Sequence, residues 1–147
     1  MNYWLVKSEP TKYSWDQFVK DGKAVWDGVR NHQAKINLSN MSVNDEVLYY
    51  HSNEGKEIVG VAKVAGAAYG DPNTPGEPWV VVDLIPSYTL TKPVTLAQLK
   101  ADEILSDMTL VKQSRLSVCP VKPEEFERII KLACGSSQKR NEYLRLG

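Results

Sequence analysis

Short apolar runs separated by turn residues dominate the first two thirds of this chain. Tyr3-Trp4-Leu5-Val6 joins aromatic and β-branched residues, and Lys7-Ser8-Glu9-Pro10 follows. That pattern predicts a buried strand over 3–7, which Pro10 stops because it has no N–H to donate. Ser14-Trp15-Asp16-Gln17 is a capping-box pattern, and it predicts a short helix running to about Lys20 and closed by Asp21-Gly22. Trp26 to Gln33 then reads as a loop entering a second helix. Asn31 is its N-cap, the helix runs over 32–40, and Leu38, Met41 and Ala34 form its buried side.

Glu46 to His51 alternates in the manner of a strand. Ser52-Asn53-Glu54-Gly55 is a hairpin loop, and Glu57 to Val64 is the returning strand. The small residues of 65–69 are expected to continue that strand through a bulge or bend. Gly70 to Pro78 is a loop by its Gly, Pro and Asn content. Trp79 to Tyr88 is apolar on nearly both faces, as a central strand is, with Asp83 the polar exception. A short helix capped by Thr95, a turn over 102–107, a loop and short strand over 113–118, and a helix from Glu124 to Ala133 complete the pattern. The acidic first turn of that last helix and Gly135 beyond its end suit the helix dipole and C-cap. Residues 136–147 form a polar, mildly basic tail, loosely ordered or helical. The expected fold class is α+β, a small mixed or antiparallel barrel with helices packed on its openings. Neither a repeat nor a linker divides the chain, so one domain over 1–147 is expected.

Composition narrows the function. The chain has 147 residues, and its Lys plus Arg equal its Asp plus Glu. A zero formal charge argues against a domain that holds duplex DNA mainly through phosphates. It leaves open a local basic groove or recognition of one base in a pocket. Two cysteines, Cys119 and Cys134, are too few for a disulfide framework and are expected to be buried free thiols. The N-terminus lacks a signal-peptide pattern. No apolar run approaches the roughly 20 residues that span a bilayer, so a cytoplasmic protein without membrane contact is expected.

Chemistry-bearing spacings are sparse. His32 and His51, like the two cysteines, lack metal-ligand spacing, and no phosphate-binding Gly motif or nucleophile elbow is present. No metal or cofactor is expected. Cys119 reads better as a small buried apolar residue than as a nucleophile. Lys7, Glu9, Asp27, Asp83 and the histidines are acid–base candidates, although satisfied buried polar groups or surface charges account for each more simply. Four Trp and seven Tyr stand against two Phe. Trp and Tyr carry an apolar body with a polar tip, which suits a wall that both stacks and hydrogen-bonds, and unstacked nucleobases are read in that way. Trp4, Trp15 and Trp79 are each better explained as core or covering residues. Trp26, beside Arg30 and Asn31, is the one assigned to a pocket.

Eight motifs in order resemble the EVE domain: Tyr-Trp-Leu-Val-Lys-Ser-Glu-Pro, Tyr-Ser-Trp-Asp, Trp-Asp-Gly-Val-Arg-Asn-His-Gln-Ala, Val-Leu-Tyr-Tyr-His-Ser, Val-Gly-Val-Ala, Ala-Tyr-Gly-Asp-Pro, Trp-Val-Val-Val-Asp and Arg-Leu-Ser-Val. The resemblance covers 1–135. It implies a PUA-like fold, a mixed β pseudobarrel related to PUA, ASCH and YTH domains. It also implies a non-catalytic module that reads a modified nucleobase in RNA or DNA. Carried over motif by motif, the pocket comprises Lys7, Ser8, Trp26, Arg30, Asn31, Tyr50, His51, Ser52, Arg115 and Ser117. Trp26 or Tyr50 is expected to stack, Ser8, Asn31 and Ser52 to read the base edge, and Lys7, Arg30 and Arg115 to meet phosphate or an exocyclic oxygen.

Two other classes stay open at this point. One is a small hydrolase of a modified nucleoside, by analogy with ASCH relatives, with Lys7 and Glu9 as base and partner. The other is a protein-interaction module. A monomer is expected.

Overall fold

The computed structural model describes residues 2–134, so the tail read over 136–147 lies outside the described residues. The elements in chain order are β1 (Tyr3–Ser8), α1 (Trp15–Asp21), β2 (Ala24–Trp26), α2 (His32–Ser39), β3 (Glu46–His51), β4 (Glu57–Val64), β5 (Tyr69–Gly70) and β6 (Val80–Thr95). After these come α3 (Leu96–Ala101), a 3-10 turn (Leu105–Asp107), α4 (Thr109–Lys112), β7 (Val118–Val121) and α5 (Pro123–Cys134). The strands form a mixed sheet in the order β2-β6-β4-β3-β1-β7, with β5 paired to β6. β1 and β3 run parallel and the other pairs antiparallel. The sheet curls into a half-barrel, the α+β PUA-like architecture that the resemblance implied.

Local chemistry sets most of these elements. Ser14 caps α1 by accepting from Gln17 N–H at 3.1 Å, and Gly22 closes it at φ 76°. The expected reciprocal half of that cap is replaced: the Gln17 amide donates along the helix to Asp21 at 2.8 Å. Asn31 caps α2 through Ala34 N–H, and Thr95 with Gln98 makes a full capping box on α3.

Three expectations are corrected by pairing between distant segments. Trp26 does not lie in a loop. It ends β2, where it is the register partner of Val82 on β6. β6 does not stop near Tyr88 but runs on through Pro93 to Thr95, and it contains Pro86 earlier along its length. The β4–β6 register shifts between Val61 and Ala62, where Pro86 pairs, and that irregularity accommodates a residue with no N–H. Nor do residues 65–69 continue β4. Only Tyr69 and Gly70 pair again, with Val81 and Val80.

The core is centred on β3, whose residues Glu46 to Tyr50 are all buried. Phe18 and Tyr49, both fully buried, stack at 5.5 Å, and the Trp15 ring meets both edge-on. Each such ring removed from water is worth about 1.5–3 kcal/mol. α5 places Phe126, Ile129, Ile130 and Ala133 against the sheet, with Tyr3 stacked on Phe126 at 4.3 Å. No described helix is long and apolar enough to cross a membrane.

Candidate functional site

Strand ends converge on one edge of the sheet. Because β1 and β3 are parallel neighbours, Ser8 and His51 are register partners at their carboxyl ends. β7 runs antiparallel to β1, so Ser117, just before its start, lies beside Lys7 and accepts its N–H at 3.0 Å. Ser52 N–H donates to Ser8 O at 2.9 Å and ties the β3–β4 hairpin to the same edge. The segment between β2 and α2 folds over this edge, helped by Gly28 at φ 74°. The result is a cleft of about 1020 Å³, a volume typical of ligand sites.

Trp26 forms part of its wall. Its ring is half-buried and meets Tyr49 edge-on at 5.5 Å and 80°. Tyr49 is itself held by donation of its hydroxyl to Tyr13 O at 2.8 Å, and burial pushes its pKa up to about 12. A locked aromatic cluster therefore fixes the Trp26 plane. Val25 and Val29 are also among the residues that line the cleft.

Polar groups complete the cleft. Ser8 Oγ donates to Tyr13 O at 2.8 Å, and Lys7 Nζ donates to Ser114 O at 2.5 Å. Burial lowers the Lys7 pKa, partly countered by Cys119 nearby. Asn31 uses its side-chain oxygen as the α2 cap, and its amide N–H groups make no bond among the described residues. Across the cleft, Tyr13 donates to Asp21 at 2.8 Å; burial first, and that carboxylate second, raise the phenol pKa. Arg30 pairs with Asp71 at 3.3 Å, Lys12 with Glu9 at 3.1 Å and Lys23 with Asp83 at 3.3 Å.

Seven of the ten residues singled out in the sequence line this cleft: Lys7, Ser8, Trp26, Arg30, Asn31, Ser52 and Ser117. Three are placed elsewhere. Tyr50 is 4% exposed and belongs to the hydrophobic core, because β3 is covered on both faces, so its ring is not on the cleft wall. His51 turns to a separate depression, where its Nε2 accepts Trp15 N–H at 3.0 Å at the start of α1. Burial lowers its pKa, opposed by Glu57 and Asp16. Arg115 is exposed in a neighbouring groove.

The pairing of Lys7 with Glu9 that the hydrolytic reading needs is not formed. Lys7 is held by Ser114 O, while Glu9 accepts from Asn53 and pairs with Lys12. Cys119 is buried, its Sγ lies 3.3 Å from Leu116 O, and burial raises its pKa to about 11 with Lys7 opposing, so it remains a thiol.

Tyr13, Asp21, Lys23, Asn53 and Ser114 also line the cleft and are absent from the pocket set expected from the sequence. Tyr13 directly precedes the Ser14 cap and Asn53 adopts φ 65° in the hairpin, so both carry local signals. Ser114 opens the polar stretch Ser114-Arg115-Leu116-Ser117 ahead of a short strand, which is its signal, and Lys23 carries none. Asp71 and Trp79, from the Pro-rich loop and its edge, reach the site only through Arg30, which lies 5.5 Å over the Trp79 ring. The His32 ring also meets Trp79, tilted at 31° with centroids 5.0 Å apart.

Comparison with known proteins gives a consistent picture. The EVE domain family matches residues 2–132. Mouse thymocyte nuclear protein 1 is 34% identical over 165 residues, covering 89% of this chain and 73% of that protein. Among solved structures, a Rhodopseudomonas palustris protein determined by NMR is 50% identical with a TM-score of 0.87, covering 90% of this chain and 93% of its own. Human THYN1, crystallised in complex with 5-methylcytosine-containing DNA, is 29% identical with a TM-score of 0.82, covering 90% of this chain and 98% of its own.

Proposed function

The chain belongs to the EVE domain family, and from that premise we propose that it binds nucleic acid carrying a modified base, holding that base in the cleft walled by Trp26. The observation that carries the reading is the setting of Trp26. Its ring is pinned by Tyr49, and around it the cleft presents Ser8, Asn31 and Ser52. An unstacked base needs an aromatic or apolar face and hydrogen-bond partners at its edge, and this cleft supplies both. The human relative was crystallised with 5-methylcytosine DNA, which makes that base the first probe. Val29, an apolar residue of the cleft lining, suits a methyl substituent. Asp27 provides an acceptor for an exocyclic amine, and Asn31 a donor for a ring carbonyl.

The protein acts in this reading as a monomeric binding module rather than a catalyst. The experiment is a fluorescence titration with modified and parent nucleosides and short oligonucleotides, on the wild type and on Trp26→Ala. Saturable quenching by a modified base and not its parent is expected. Trp26→Ala should weaken it by the stacking contribution, about 1–3 kcal/mol. Undiminished binding by Trp26→Ala would reject the stacking wall.

A further inference from the structure

We infer that the groove beside the cleft is the path of the nucleic-acid backbone, and that Arg115 is its phosphate contact. The inference rests on the base-binding reading of the cleft and adds the route by which a strand reaches it.

The groove has a volume of about 300 Å³ and is bounded by Asn31, Gln33, Gln113, Ser114, Arg115 and Leu116. It shares Asn31 and Ser114 with the cleft, so the two adjoin at those residues. A nucleotide seated in the cleft therefore has its sugar-phosphate within reach of this groove.

The charge arrangement differs between the two. The cleft contains the carboxylates Glu9, Asp21 and Asp27, whereas no acidic residue bounds the groove. The cations of the cleft are already engaged: Lys12, Lys23 and Arg30 by carboxylates, and Lys7 by Ser114 O. Arg115 is exposed and has no hydrogen bond or ion pair among the described residues. Three acceptors that would repel a phosphate are already occupied. Ser114 O takes Lys7 Nζ, Gln113 O takes Leu116 N–H, and Asn31 Oδ1 takes Ala34 N–H. Among its lining are the Arg115 guanidinium and the Asn31 amide, donors matched to a phosphodiester, together with the side-chain amides of Gln33 and Gln113.

One uncompensated cation at the rim also fits a neutral chain. The base supplies selectivity, and a single phosphate contact fixes the strand with little salt dependence.

The test compares two probes, 5-methyl-2′-deoxycytidine and a short single-stranded DNA with one central 5-methylcytosine, across a salt series. Arg115→Ala should leave nucleoside affinity unchanged and weaken oligonucleotide binding severalfold. It should also reduce the salt slope by about 0.7, the share of one single-strand phosphate. Arg115→Lys should restore the slope. An oligonucleotide affinity and slope unchanged by Arg115→Ala, with both probes still bound more weakly by Trp26→Ala, would overturn the groove assignment and leave the cleft reading standing. Failure of the wild type to bind either probe would overturn both.

Discussion

Asp71 holds Arg30 from behind the cleft. Its Oδ2 lies 3.3 Å from the Arg30 Nη2, with the Trp79 ring 5.5 Å beneath the guanidinium carbon. The carboxylate side chain is 1% exposed and the guanidinium side chain 43% exposed, so one partner is sealed in the fold while the other faces the site. Asp71 Oδ1 separately accepts Asn73 N–H at 2.9 Å and shapes the Pro-rich loop.

Asp71 is therefore a positioning residue for Arg30. Arg30→Ala should destabilise the protein by about 1–3 kcal/mol, since it leaves a buried carboxylate short of a partner. Asp71→Asn keeps the acceptor for Asn73 and removes the charge. A urea double-mutant cycle over Arg30→Ala and Asp71→Ala should give a coupling of about 0.5–3 kcal/mol. Strict additivity would mean the two do not act together.

Gly60 is required by Trp15. A Cβ at position 60 would lie 2.3 Å from the Trp15 Cζ2 and 2.4 Å from its Cε2. The indole has little freedom to retreat, because its Nε1 donates to Thr89 Oγ1 at 2.9 Å and its ring packs on Phe18 and Tyr49. Gly60→Ala is expected to cost about 1–3 kcal/mol by overpacking. A thermal melt equal to the wild type would show that the indole relocates without penalty.

Asp45 gathers three donors at the chain's beginning. It accepts Trp4 Nε1–H at 3.0 Å, Ser42 N–H at 2.9 Å and Asn2 N–H at 3.1 Å. Trp4 and Asp45 are both buried, so Asp45→Ala strands the indole N–H away from water. The expected loss is about 1–3 kcal/mol in urea unfolding. Trp4→Phe made in the Asp45→Ala background should then cost less than Trp4→Phe made alone.

His51 makes stability depend on pH. Burial depresses its pKa below the ordinary 6.5, with Glu57 and Asp16 opposing, and the neutral ring accepts Trp15 N–H. Since the unfolded chain binds this proton more tightly, the His51 contribution is complete above pH 6.5 and is lost as pH falls through the folded value. His51→Phe removes the titration and should flatten the acid side of the stability profile from 6.5 downward. Parallel profiles for the two proteins would exclude His51 as the cause.

Local signals in the sequence account for much of this architecture. The caps at Ser14, Asn31 and Thr95, the strands Glu46–His51 and Glu57–Val64 with their hairpin, and the α5 helix all depend on neighbours within a few residues. Trp26 was legible as a residue of the cleft wall because a Trp beside Arg30 and Asn31 suits neither a plain core nor a solvated loop.

Tertiary structure decided what depends on distant pairing. Alternation along a strand assigns faces only where one side meets water, and β3 is covered on both, so Tyr50 went into the core while Ser52 reached the cleft. Arg115 and Lys7 carry equal charge, and nothing local distinguishes them. Only the β1–β7 register sets Lys7 under Ser114 and leaves Arg115 in the adjoining groove. Sequence by itself determined which side chains were available for a site. The parallel pairing of β1 with β3 decided which of them meet, because carboxyl ends of strands separated by some forty residues converge only once that long-range ladder forms.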